Sequence, residues 1–139
     1  QPGWAARPVR DREQILLGMH DLVLRHRDEL LDLIQSESGK SRLDAFQEVA
    51  AIALAARYYG RTASRLLRTR RRASFFPGAI VTHEVRHPKG VVGIVSPWNF
   101  PLVLSVTDTL PALVAGNAVV HRPDDQAALI ARRARRRVR

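Results

Sequence analysis

Pro88-Lys89-Gly90-Val91-Val92-Gly93-Ile94-Val95-Ser96-Pro97-Trp98-Asn99-Phe100-Pro101 is the stretch on which the reading of the fold turns. Pro88-Lys89-Gly90 is turn chemistry, and Val91 to Val95 is apolar on consecutive positions, as a strand buried on both faces of a parallel sheet requires. Ser96 to Phe100 leaves that strand as a loop, and Pro101 is well placed to open a helix. The helix is predicted over about Leu102 to Val114, with Pro111 kinking it or splitting off its last turn and Gly116-Asn117 ending it. Ala118-Val119-Val120 reads as a second short buried strand, followed by Arg122-Pro123-Asp124-Asp125 and a new helix start that Asp124 can cap. Strand, helix, strand, helix predicts a right-handed parallel crossover, and ligands of open parallel sheets bind beyond the carboxyl ends of the strands. The loops Ser96 to Phe100 and His121 to Asp125 both leave such ends, so both are expected to open onto one edge.

Upstream the texture is helical. Pro8 precedes Asp11, a candidate cap with Gln14 three residues on, and apolar residues recur at Ile15, Leu16, Met19, Leu22, Val23, Leu30, Leu33 and Ile34. One amphipathic helix ending at Gly39 is expected. A second runs from about Arg42 to Arg68 with Phe46, Val49, Ile52, Ala53, Ala56 and Tyr59 on one side, and the two should pack antiparallel. Arg65, Arg68, Arg70, Arg71 and Arg72 crowd the exit of this helix, where cations suit the carbonyl end of the dipole and remain solvated. After the Pro77-Gly78 turn, Ala79 to Arg86 alternates in polarity and is expected to form a hairpin with Val91 to Val95.

Composition narrows the function classes. The chain has 139 residues, 45% of them hydrophobic and 26% charged, which is ordinary globular usage. Its first residue, Gln1, points to a processed or truncated start, and no apolar run reaches the roughly 18 residues of a membrane span. A secretory signal pattern is absent too, so the default location is cytoplasmic and no membrane partner is expected. There is no cysteine, hence no disulfide framework, thiolate metal site or cysteine nucleophile, and no metal site is expected. The net charge of +10 raises nucleic acid as a partner, but six arginines lie in the last eight residues, and removing six of those charges leaves +4. Ala131 to Arg139 contains only Ala, Arg and one Val, which offers a helix no apolar stripe. It is expected to be a disordered basic tail, or the product of a lost reading frame, following a domain over residues 1–130.

The run from Pro88 to Pro101 closely resembles the signature of the aldehyde dehydrogenase superfamily. Leu110-Pro111-Ala112-Leu113-Val114-Ala115-Gly116-Asn117-Ala118-Val119-Val120 and Arg122-Pro123-Asp124-Asp125-Gln126 continue the resemblance. Trp4, Pro8, Arg12, Glu37-Ser38-Gly39-Lys40 and Glu48-Val49 fit the family's two leading helices, so the likeness covers about residues 4–130. The fold so implied is α/β, an N-terminal helical pair followed by an incomplete Rossmann-like parallel sheet, part of an NAD(P)-binding domain.

The resemblance also implies roles. The family's Asn at the position of Asn99 donates its side-chain amide to the oxyanion formed when a cysteine thiolate attacks the aldehyde; one such donor is worth on the order of 3 kcal/mol of barrier. The segment matching Ile94, Val95, Ser96, Pro97 and Trp98 lines the cofactor cleft, with main-chain atoms near the nicotinamide-side ribose and the Trp side chain near the adenylate half. Arg122 replaces a Lys that bonds the adenosine ribose, keeping the charge but changing reach and geometry. Asp125 matches a Glu that accepts bonds from the adenine ribose hydroxyls, and a carboxylate there repels an added 2′-phosphate, which weakly favours NAD over NADP. His121 stands where the family has an aliphatic residue and reads as a neutral buried His. Tyr58 or Tyr59 lies on helices that contribute to the substrate tunnel entrance, although core packing accounts for both.

The family's chemistry oxidises an aldehyde to a carboxylic acid through a cysteine thiohemiacetal and thioester, with a glutamate activating water. The cysteine and that glutamate lie beyond the part matched here, as do the second cofactor-binding turn and the oligomerisation strands of these homo-oligomers. No turnover is therefore expected from these residues alone. The Val91 to Val120 pattern is nearest to members acting on succinate semialdehyde. The competing readings are a small basic nucleic-acid-binding module using Arg65 to Arg72 and the tail, and a remnant without function.

Overall fold

The computed structural model describes residues 1–127 and 129–130. Four helices come first: α1 (Pro2–Ala5), α2 (Val9–Arg25), α3 (Arg27–Ser38) and α4 (Arg42–Leu67). The single helix expected up to Gly39 is broken at His26, which has φ −101° and ψ 19° and serves as the C-cap of α2 and the N-cap of α3. The reason lies in burial. Between Val23 and Leu31 no residue is buried, so nothing holds the polar run Arg25 to Glu29 straight, while Asp28 and Glu29 suit the first turn of a new helix. Asp11 sits inside the first turn of α2 and does not cap it; Pro8 holds the N-cap position. Gly39 ends α3 at φ 68°, a left-handed conformation that side chains resist.

Helix α4 begins at Ser41, whose hydroxyl accepts the Asp44 N–H at 3.1 Å, a cap of about 1 kcal/mol. It runs antiparallel to α2, as expected: Glu13 binds Ser64 near one end, and His20 Nδ1 lies 2.8 Å from the Ala53 carbonyl further along. Its buried stripe is Ala45, Glu48, Val49, Ile52, Ala53, Ala56, Gly60 and Ala63. Phe46, expected on that stripe, is 47% exposed, because the stripe is centred one residue away and includes a carboxylate. Ile15 is also exposed.

The arginines after α4 depart further from expectation. Arg70–Arg72 forms strand β1, which pairs antiparallel with β2 (Thr82–Glu84), Arg70 opposite Glu84. Alternation from Ala79 to Arg86 does mark a hairpin strand, but its partner precedes it, and Arg72 and Arg86 both pair with Glu84. Opposite charges across the ladder explain that choice of partner.

Strand β3 (Val91–Ser96), helices α5 (Val103–Thr107) and α6 (Thr109–Val114) and strand β4 (Ala118–Pro123) make the predicted crossover, with β3 and β4 parallel and Val91 opposite Ala118 through Ser96 opposite Pro123. The connecting helix is broken at Asp108, three residues before Pro111, since proline removes one N–H and crowds the preceding turn. Leu102, Val106, Leu110 and Val114 join Val49, Ile52 and Ala56 in one core. Burial of β3 is one-sided: Ile94 and Ser96 face the helices, while Val91 and Val95 are exposed, so the both-faces expectation fails among the described residues. Asn117, read from sequence as a helix terminator, is buried and does more, accepting from Gly90 N and donating to the Ala112 carbonyl at 3.0 Å each.

The α/β architecture is the expected one: leading helices followed by a partial Rossmann-like sheet. The Ala131 to Arg139 run lies outside the described residues. No described helix is long and apolar enough to cross a membrane.

Candidate functional site

The carboxyl ends of β3 and β4 lie side by side, with Ile94 opposite His121, Val95 opposite Arg122 and Ser96 opposite Pro123. The ladder continues one step past the strands, where the Asp124 N–H donates to the Ser96 carbonyl at 3.0 Å. Ser96 and His121 to Pro123, expected in the loops, belong to the strands because the ladder runs on through Ser96 opposite Pro123; the segments leaving the two carboxyl ends begin at Pro97 and Asp124 and open onto one edge. The structure thus places Ile94, Val95, Ser96 and Arg122 on the paired strand ends, with Pro97, Trp98, Asn99 and Asp125 in the segments that leave those ends.

Their exposure sorts them. Ile94 and Ser96 turn their side chains inward, so toward the rim they offer backbone only. Val95 is 81% and Trp98 50% exposed, and Pro97 and Asn99 are exposed too. The Asn99 amide makes no hydrogen bond to any described residue, leaving both N–H groups available. Arg122 and Asp125 lie 3.9 Å apart on the surface, a solvated pair of little energetic weight whose groups are free to meet a ligand. Asp124 caps the short turn Asp125–Ala127 by accepting the Gln126 N–H at 3.0 Å.

Beneath the rim runs a polar chain. The Ser96 hydroxyl lies 2.7 Å from His121 Nε2 and 2.9 Å from the Ser105 hydroxyl, and Ser105 donates to the Pro101 carbonyl. Burial lowers the pKa of His121, which agrees with its reading as a neutral His, although it is half-buried rather than fully enclosed. Among the described residues no group of His, Cys, Asp or Glu is arranged to hold a metal. Tyr59 packs against the core and Tyr58 is exposed.

Sequence reasoning gave no role to Glu48, which is 1% exposed. One of its oxygens lies 2.5 Å from Lys40 Nζ, and the other accepts the Leu102 and Val103 N–H groups at 3.1 Å each. The signal was its position: 45, 48, 49 and 52 form one helical face, and a carboxylate on an apolar face demands a partner.

Two parallel strands with facing loops at their carboxyl ends, above a helical layer, define part of a dinucleotide-binding crevice. The sequence matches the aldehyde dehydrogenase family over residues 1–136, and the chain belongs to that family. A Mycolicibacterium smegmatis protein named "Putative succinate-semialdehyde dehydrogenase", with NADP(+) in its name, is 50% identical over 126 residues, covering 91% of this chain and 24% of that protein. A vanillin dehydrogenase of Corynebacterium glutamicum is 41% identical over 127 residues, covering 88% of this chain and 25% of the relative. The crystal structure of an NAD-dependent benzaldehyde dehydrogenase, also from Corynebacterium glutamicum, superposes with a TM-score of 0.83 at 33% identity, covering 99% of this chain and 30% of that one. The chain thus spans about a quarter of the length of the curated relatives it matches.

Proposed function

We propose that these residues form the leading part of the cofactor-binding domain of an NAD(P)-dependent aldehyde dehydrogenase, in which Asn99 is the oxyanion donor. The observation that carries this reading is the exposed amide of Asn99, without a hydrogen bond among the described residues, in the segment that leaves the carboxyl end of β3 beside β4. A neutral donor held there, aimed at the oxygen of an aldehyde under attack, stabilises charge only as it develops. The attacking thiolate is not among these residues, since the chain contains no cysteine. The 139 residues alone are therefore expected to be inactive.

Ile94 and Ser96 backbone, Val95, Pro97 and the Trp98 face suit one side of a dinucleotide, and Arg122 and Asp125 suit its adenosine ribose; when bound, the nicotinamide accepts hydride. Asp125 favours NAD through repulsion of a 2′-phosphate, whereas the neighbouring Arg122 charge attracts one, and the relatives' names include both cofactors. Succinate semialdehyde is the substrate we favour, on the Val91 to Val120 pattern and the name of the mycobacterial relative. We read the intact protein, on its family membership, as a cytoplasmic homo-oligomer without a membrane or nucleic-acid partner.

The experiment is a graft in which residues 1–130 replace the matching segment of the mycobacterial relative. Reduced cofactor formed from succinate semialdehyde, with NAD and NADP each supplied, supports the reading. A folded graft that binds neither cofactor contradicts it.

A further inference from the structure

We infer that Glu48 and Lys40 are positioning residues that fix the aim of Asn99 from the helical layer; this deepens the oxyanion-donor reading and rests on it. Residues 100 to 103, which follow Asn99 without interruption, are all anchored. The Lys40 ammonium lies 3.6 Å from the centre of the Phe100 ring. Pro101 and Leu102 are fully buried, and Glu48 holds the N–H groups of Leu102 and Val103. Asn99 thus precedes a segment held by burial at Pro101 and Leu102 and by contacts from Lys40 and Glu48 at Phe100, Leu102 and Val103.

The economy of the arrangement argues that it serves position. Helix α5 has no side-chain cap of its own; a Ser or Asp beside it would satisfy the same N–H groups at less desolvation cost than a fully buried glutamate. Instead the acceptor comes from α4, 54 residues away in sequence, and brings a cation that touches the residue adjacent to Asn99. A local cap would shape the helix end. A distant charged pair ties the turn to α4 and the core that α4 shares with α2.

The test uses the 139-residue chain labelled with nitrogen-15, as E48Q, K40M and the double variant. Amide exchange is read at Leu102, Val103 and Ser64, together with the Asn99 side-chain NH2 resonances. In E48Q and K40M, Leu102 and Val103 should exchange about tenfold faster, the cost of one weakened charged hydrogen bond, while Ser64 is unchanged. The Asn99 NH2 resonances should shift in both. Adding E48Q to K40M removes an unpaired buried carboxylate, so the double variant should recover part of the protection lost in K40M. Unmoved Asn99 resonances overturn the inference, as does Ser64 exchange rising in step with Leu102, which would make the pair a general stabiliser. Failure of the oxyanion reading shows separately, as an N99A graft that keeps its kcat while these exchange results stand.

Discussion

Ser96 Oγ lies 2.7 Å from His121 Nε2, and the proton inventory around it settles which atom donates. Ser105 gives its one hydroxyl proton to the Pro101 carbonyl, so Ser96 must donate to Ser105 and accept from His121. The neutral imidazole therefore carries its proton on Nε2, and a second proton adds at Nδ1 without breaking the chain.

That tautomer gives a pH prediction. Burial puts the native pKa of His121 below its ordinary value of 6.5, so between the two values the unfolded chain binds more protons. Stability should fall as pH drops from 6.5 through the native value, with no contribution above 6.5. His121→Gln keeps a donor for Ser96 and removes the titration. Urea midpoints across acid pH should show a shallower decline for this variant, with stability at neutral pH changed by less than about 1 kcal/mol.

Arg12 is 5% exposed and has no carboxylate partner among the described residues, its guanidinium serving the carbonyls of Val114, Trp4, Ala5 and Arg7. It joins the N-terminal segment to the end of α6, where Trp4 Nε1 also donates to the Leu113 carbonyl at 2.8 Å. Arg12→Leu strands those acceptors and should cost about 2–4 kcal/mol in a denaturant melt. Arg12→Lys, with one ammonium in place of a planar fork, should recover only part of it.

Gly60 of α4 packs tightly against Leu17 and Glu13 of α2. A Cβ there would sit 2.8 Å from Leu17 Cγ and 3.2 Å from the Glu13 carbonyl oxygen. Alanine gains about 1 kcal/mol of helix propensity, but overpacking of this kind costs about 1–3 kcal/mol. Gly60→Ala should therefore lower the thermal midpoint, and Leu17→Ala should offset part of the loss when combined with it. A raised midpoint for Gly60→Ala alone would show that Leu17 swings clear.

The parallel β3–α5–α6–β4 unit and its shared rim were legible because apolar runs, Gly-bearing turns and Pro101 all point the same way. Other features were hidden by side-chain type. Arg70 to Arg72 reads as a solvated helix exit until Glu84 is seen opposite it. Glu48 lies on the apolar face of its helix, but the sequence does not say that its partners are the N–H groups of Leu102 and Val103, 54 and 55 residues away. The break at His26 depends on what α2 and α3 bury, which no local propensity encodes.

Whether Asn99 is the oxyanion donor of an aldehyde dehydrogenase is decided by the kinetics of Asn99→Ala in the graft. Its kcat should fall by about 10²–10³ with cofactor affinity retained, the usual effect of losing one oxyanion donor. A variant that turns over aldehyde as fast as its parent graft would contradict it.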